Sequence, residues 1–272
     1  MRARPADRLT AELRRAPGGW RRRTRQRIAR RVLVRLNDQP ILHIHIGKTA
    51  GTALQHLLHH LSDDTDPAVL ERLRIRRAPI KLHHYEVPEL LRDPGFARAE
   101  RTFVFRDPAE RYASGFLERL RQGRPTARPG VQVWSDGEAA AFGWFSTPNA
   151  CFEGLSSDDE GVRSAALFAM RAIYHLRRDH VHYLGDAATF QRERARYRFF
   201  CPMEEFPGHI ERFFDLGPGA DVQALRDLVP TVRVSTGAPA GLSELARANL
   251  RAYRPEEFEL HELLLEEWEG LR

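Results

Sequence analysis

The chain has 272 residues, 42% of them hydrophobic and 29% charged, with a formal net charge of +6. That length suits one large α/β domain or two small ones, and the apolar share can bury a sizeable core. No window approaches 18 consecutive apolar residues, and Cys151 and Cys201 form neither a disulfide framework nor a zinc pattern, so a membrane-spanning helix, a disulfide scaffold and a zinc module are not expected.

The charge is unevenly placed. Residues 1–36 hold 13 Arg against Asp7 and Glu12, a net +11, which leaves −5 on the rest of the chain. Residues 1–38 therefore read as an Arg-rich leader ahead of a single domain, 39–272, with a short helix over 20–35. The leader can make peripheral contact with a membrane surface or an acidic polymer, although a solvated tail is the favoured reading. Nucleic acid is not an expected partner. No apolar run follows the basic residues as a signal peptide requires, and a cytoplasmic protein is expected. Of the 43 basic residues 41 are Arg, with Lys only at 48 and 81, so a compact ammonium stands out where it occurs.

In chain order, Ile41–Ile46 is a short apolar run that predicts a strand. Gly47–Thr52 is a turn of small residues. Ala53–Leu61 predicts a helix, with Leu54, Leu57, Leu58 and Leu61 on one side. Arg101–Phe105 predicts a second strand. Asp107, Pro108 and Glu110 then supply an N-cap, an N1 proline and a capping-box spacing for a helix to about Gln122. Residues 123–137 read as a long loop and 163–178 as a helix. His180–Leu184 and Tyr197–Cys201 read as strands and Pro207–Leu216 as a short helix. Residues 217–239 are mostly connection, and Ser243–Tyr253 and Pro255–Glu269 are closing helices. Strands alternating with helices predict an α/β fold, three layers deep, with a central parallel sheet flanked by helices.

The turn Gly47-Lys48-Thr49-Ala50-Gly51-Thr52 has the chemistry of an anion site. Backbone N–H groups converge at a helix N-terminus, Lys48 adds a full charge, and the hydroxyls of Thr49 and Thr52 add donors. A Walker A loop would need glycine where Leu42 stands, which argues against a P-loop kinase or NTPase. A plain strand–helix turn remains the simpler reading of this stretch alone.

His45-Ile46-Gly47-Lys48-Thr49-Ala50-Gly51-Thr52 resembles the HIPKTGGTS signature of sulfotransferases that use 3′-phosphoadenosine 5′-phosphosulfate (PAPS), of the carbohydrate type (heparan sulfate and uronosyl-like, sulfotransferase family 2). Gly47, Ala50 and Ala53 replace the family's Pro, Gly and Ser. The run Phe103–Phe116 (FVFRDPAERYASGF) resembles that family's 3′-phosphate motif, FLRDPVERFVSGF. The resemblance covers about residues 41–120 well. It implies a P-loop-like fold that binds PAPS without a metal and moves its sulfuryl group to a hydroxyl of a glycan or glycoconjugate, leaving adenosine 3′,5′-bisphosphate. It places the 5′-phosphosulfate on Lys48, Thr49, Ala50, Gly51, Thr52 and Ala53, with Lys48 also catalytic. It places the 3′-phosphate on Arg106 and Ser114, and the adenosine near Ser235. The family's catalytic base falls on His84, with His83 and Glu86 as alternatives; a pair of surface histidines is the plain reading. Animal members are Golgi-anchored, whereas this Arg-rich, anchorless chain is expected to be bacterial. A non-catalytic relative that binds anionic glycans is the other alternative. Asn149 matches no complete family element and takes no role. His56 and His60 lie off the leucine stripe and read as solvated rather than as a zinc pair.

Overall fold

The computed structural model describes residues 40–49, 51–59, 61, 67–82, 99–123, 133–228 and 241–272. The predicted leader, His60, His83, His84, Glu86, Ala50 and Ser235 lie outside them, as do the side chains of Thr52 and Lys81.

Four strands, β1 (Ile41–Ile44), β3 (Ile80–Leu82), β4 (Glu100–Phe105) and β5 (Tyr197–Pro202), form a sheet in the order β3-β1-β4-β5, and every neighbouring pair is parallel. The short strands β2 (Ile75–Arg77) and β6 (Asp215–Leu216) pair antiparallel beside it. A parallel sheet needs both faces covered, and the contacts of this one show how. Register places Ile44, Phe103 and Phe200 on one face and His43, Thr102 and Phe199 on the other. Phe103 meets Phe190 edge-on, and Phe105 meets His261. On the opposite face His43 and Phe199 both pack against Phe213, at centroid distances of 5.8 and 5.1 Å. His43 Nδ1 lies 3.3 Å from Thr102 Oγ1, so this buried polar pair sits within hydrogen-bond reach.

The helices are α1 (Gly51–His59), α2 (Pro67–Leu73), α3 (Pro108–Gln122), α4 (Asp136–Trp144), α5 (Pro148–Glu153), α6 (Glu160–Ala172), α7 (His180–Leu184), α8 (Ala187–Glu193), α9 (Val222–Asp227), α10 (Glu244–Tyr253) and α11 (Pro255–Glu269). None of the described helices is long and apolar enough to cross a membrane. Leu54 and Leu57 of α1 and Tyr112, Phe116 and Leu120 of α3 are buried, as their spacing predicts. His56 is exposed. One apolar core joins the sheet to α1, α7, α8 and α11, and a second joins α3 to α4, α5, α6 and α10.

Several expectations are corrected. His180–Leu184 is a helix, not a strand. Its alternating β-branched and aromatic residues mimic a strand, but Asp179 caps it by accepting the N–H of His182 at 2.8 Å, and Gly185 ends it at a φ of 78°. Residues 136–153 hold two unexpected helices. The first starts with a full capping box, Ser135 and Glu138 exchanging hydrogen bonds across the first turn. Asp159 caps α6, and the helix stops at Ala172 rather than continuing to 178. Phe206–Phe213 is a 3₁₀ helix followed by β6, and α9 lies within the expected connection. Asn149 accepts the N–H of Ser243, so its described role is to hold the start of α10.

Candidate functional site

The site is built where β1 and β4, neighbours in the sheet, deliver their carboxyl ends. Open parallel sheets bind ligands at this edge. From β1 the chain turns through Gly47 and Lys48 into α1. Thr49 is buried and its hydroxyl donates to the carbonyl of Ile46 at 2.8 Å. The hydroxyl hydrogen is thus used to tie the loop, and what Thr49 can offer an anion is its backbone N–H. Lys48 adopts a φ of 71°. A left-handed backbone at a non-glycine residue costs roughly 1–3 kcal/mol and persists only where its surroundings enforce it. Ala53 is buried inside α1.

Arg106 follows β4 directly. Asp107 caps α3 by accepting the N–H of Glu110 at 2.8 Å, with Pro108 at the first helical position. The carboxylate of Glu110 turns to Arg247 of α10, with which it pairs closely, and lies 3.8 Å from Arg106. Arg247 also reaches Asp107 at 3.7 Å. The capping-box spacing therefore serves an ion-pair cluster that ties α10 to the start of α3. Ser114 is half-buried on α3.

The two motifs meet. Burial holds the Lys48 amine below the ordinary lysine value; Glu118 of α3, 3.9 Å away, opposes that shift, while Arg106 and Arg121 add to it. Burial pushes the Glu118 carboxyl up, but Arg121, Lys48 and Gln122 together bring it below its usual range. Arg106 and Arg121 thus both disfavour the charge on Lys48, while Glu118 pairs with Lys48 and Arg121 and Glu110 lies beside Arg106. The Nε of Arg106 is buried and has no hydrogen-bond partner among the described residues. A buried donor left unpaired costs about 1–3 kcal/mol, which an incoming anion would recover.

α3 carries a second buried stripe beside its aromatic one: Arg111, Gly115 and Arg119, at intervals of four. This stripe holds the turn after α6. Arg111 donates to the carbonyls of His175 and Arg178 at 3.2 and 2.8 Å. Arg119 forms two bonds to Glu138, at 2.6 and 2.5 Å, and Glu138 accepts the N–H of Tyr174 at 3.1 Å. Burial pushes the Glu138 carboxyl up, but Arg119 and the N–H donors of Ser135 and Tyr174 bring it down to about 2. The turn so fixed lays His175 between the motifs. A methyl group at Gly115 would stand 2.9 Å from His175 Cβ, and one at Gly47 would stand 3.2 Å from His175 Nδ1. Gly47, where the signature it resembles has Pro, makes room for this imidazole.

Behind Arg106 lies a buried polar cluster. Glu257 of α11 accepts the N–H groups of His180 and Val181, both at 3.0 Å, and lies 2.5 Å from His180 Nδ1 and 3.7 Å from Arg111 Nε. Burial pushes the Glu257 carboxyl up, but His180 and Arg111 outweigh it and hold it at about 2. Asp179 shows the opposite balance. Burial and the neighbouring Glu257 charge raise it, with Tyr112 3.4 Å away and Arg254 3.7 Å away.

Lys48 and Arg106, one from each motif, therefore follow the carboxyl ends of neighbouring strands, while Ser114 lies in the second turn of α3. β3 ends at Leu82 beside β1, at the same edge, while His84 and its alternatives lie outside the described residues. Sequence reasoning missed His175, His180, Arg247 and Glu257. The 111–115–119 stripe was a readable signal, because two arginines flank a glycine on the face next to buried aromatics. Among the described residues no group of three or more potential metal ligands occurs. Comparison with family models, with curated proteins and with solved structures found no match.

Proposed function

We propose that this chain is a PAPS-dependent sulfotransferase acting on a hydroxyl-bearing acceptor, with a carbohydrate favoured, on a P-loop-like fold. The observation that carries the reading is that Lys48, after β1, lies 3.9 Å from Glu118 of α3, the helix that Arg106 leads into from the adjacent parallel strand β4, with Arg106 Nε buried and without a partner among the described residues. The two motifs that resemble the family's 5′- and 3′-phosphate elements are the ones that meet.

In the proposed reaction the acceptor oxygen forms a bond to sulfur as the bond from sulfur to the bridging phosphate oxygen breaks. The acceptor proton passes to the base, assigned to His84, and adenosine 3′,5′-bisphosphate leaves. Lys48 and the loop N–H groups stabilise the charge that develops on the bridging oxygen. Arg106, with its planar fork of donors, and Ser114 hold the 3′-phosphate. Preorganised cations whose charge is only partly compensated before the ligand arrives suit a dianionic group better than a neutral one.

Calorimetric titration tests this. Wild-type protein is expected to bind adenosine 3′,5′-bisphosphate much more tightly than ADP. Arg106→Ala is expected to lower bisphosphate affinity about a hundredfold, the scale of lost charge-assisted hydrogen bonds, and to leave ADP nearly unchanged. Equal affinity for the two nucleotides in folded wild-type protein would rule the reading out.

A further inference from the structure

The peptide unit between Phe105 and Arg106 is held at both ends. Its carbonyl, on Phe105, accepts the N–H of Met203 at 2.8 Å, the last rung beside β5. Its N–H, on Arg106, lies past the end of β4 and donates to His180 Nε2 at 3.4 Å. The other ring nitrogen, Nδ1, faces Glu257 at 2.5 Å, in a pair where His180 is 1% and Glu257 0% exposed. An ionised carboxylate can only accept and a backbone N–H can only donate, so the imidazole that satisfies both contacts has its proton on Nδ1 and its lone pair on Nε2. Glu257 is itself fixed by two backbone N–H groups and by Arg111. The chain of contacts runs from α11 through α7 to the first residue after β4.

We propose that the buried His180–Glu257 pair is a positioning device for the anion site, setting the imidazole tautomer so that Nε2 anchors the Arg106 backbone and aims its guanidinium at the donor's 3′-phosphate. This inference rests on the sulfotransferase reading above. Neither residue touches the ligand. Their effect is on where Arg106 starts, and small displacements of a binding group are costly to recognition.

His180→Phe keeps the volume and removes the acceptor. Affinities for adenosine 3′,5′-bisphosphate and for AMP are measured by calorimetry on wild type and variant, with thermal unfolding in parallel. The preference for the bisphosphate over AMP is expected to fall about tenfold, the scale of one lost hydrogen bond. A lower melting temperature is expected in either case, whereas a merely structural role would weaken both ligands equally, and an unchanged preference in folded variant would overturn the proposal. Wild type without any preference would instead defeat the donor-site reading, and this inference with it. If His180→Phe fails to fold, nitrogen-15 spectra of the wild type decide. A protonated Nδ1 with an unprotonated Nε2, and an Arg106 amide that shifts on bisphosphate addition, are expected; a protonated Nε2 would overturn the proposal.

Discussion

Lys48→Ala is expected to slow turnover of PAPS about 10²–10³-fold, with water or an oligosaccharide as acceptor, the usual cost of removing one preorganised donor to a developing negative charge. Affinity for adenosine 3′,5′-bisphosphate should change far less, because the proposed reading assigns the 3′-phosphate to Arg106 and Ser114. The amine is well placed for such a role. Burial holds its pKa down, the side chain is 21% exposed, and its nearest described counter-charge, Glu118, stands at 3.9 Å rather than in close contact. A loose pair of this kind leaves the ammonium able to exchange Glu118 for a stronger anion. Lys48→Arg keeps the charge but changes a compact ammonium into a planar fork, and should recover only part of the rate. Single-turnover measurement beside calorimetry separates the two effects, and equal losses in rate and affinity would contradict the assignment.

Glu257→Ala should cost about 3–5 kcal/mol of stability, the scale for breaking a buried ion pair. It leaves Arg111 buried without its carboxylate and uncaps the N–H groups of His180 and Val181. The same group shapes the acid limb of the unfolding curve. Its folded pKa is lowered from 4.5 to about 2, as is that of Glu138. A carboxyl depressed on folding stabilises fully above its unfolded value and loses that contribution as pH falls through the folded one. Both groups should therefore lose their effect between about pH 4.5 and 2. Asp179 acts in the other direction. Its pKa is raised, so its charge costs stability near neutrality and acid relieves that cost. Thermal unfolding of wild type, Glu257→Ala and Glu138→Ala from pH 7 to 2 checks the sum, and both variants should show a flatter acid limb.

Three of the four strands of the sheet, β1, β4 and β5, were legible because they rest on local patterns, whereas β3 at the edge was not foreseen. The apolar run that starts at Ile41, the Phe103–Phe105 end of the expected strand 101–105 and the leucine spacing of α1 report burial directly. Asp107 and Pro108 mark a helix start by cap chemistry alone. The His180 segment reads falsely as a strand because a five-residue helix has too few turns for periodicity to show, and its start depends on Glu257 far along the chain. α4 escapes notice for another reason. Ala139, Ala140 and Trp144 face solvent while Glu138 is buried, so it has no clean apolar stripe to detect, and only the Ser135–Glu138 spacing marks it. The site's supporting groups follow the same rule. Lys48 and Arg106 announce themselves by motif, whereas His175, His180 and Arg247 enter through packing between distant segments. Ser114 of the predicted 3′-phosphate pair lies half-buried on α3, and Thr49 has its hydroxyl turned inward.

The partly buried amine beside Glu118 also offers a chemical handle. With 41 arginines and two lysines, the chain gives amine-directed reagents very few side chains to find. Guanidinium groups do not acylate under mild conditions, and a lysine whose pKa is held down has more free base at neutral pH than an exposed one. Reductive labelling with a phosphorylated aldehyde, followed by peptide mass mapping, would therefore report on occupancy of the Lys48 loop in the unmodified wild-type chain.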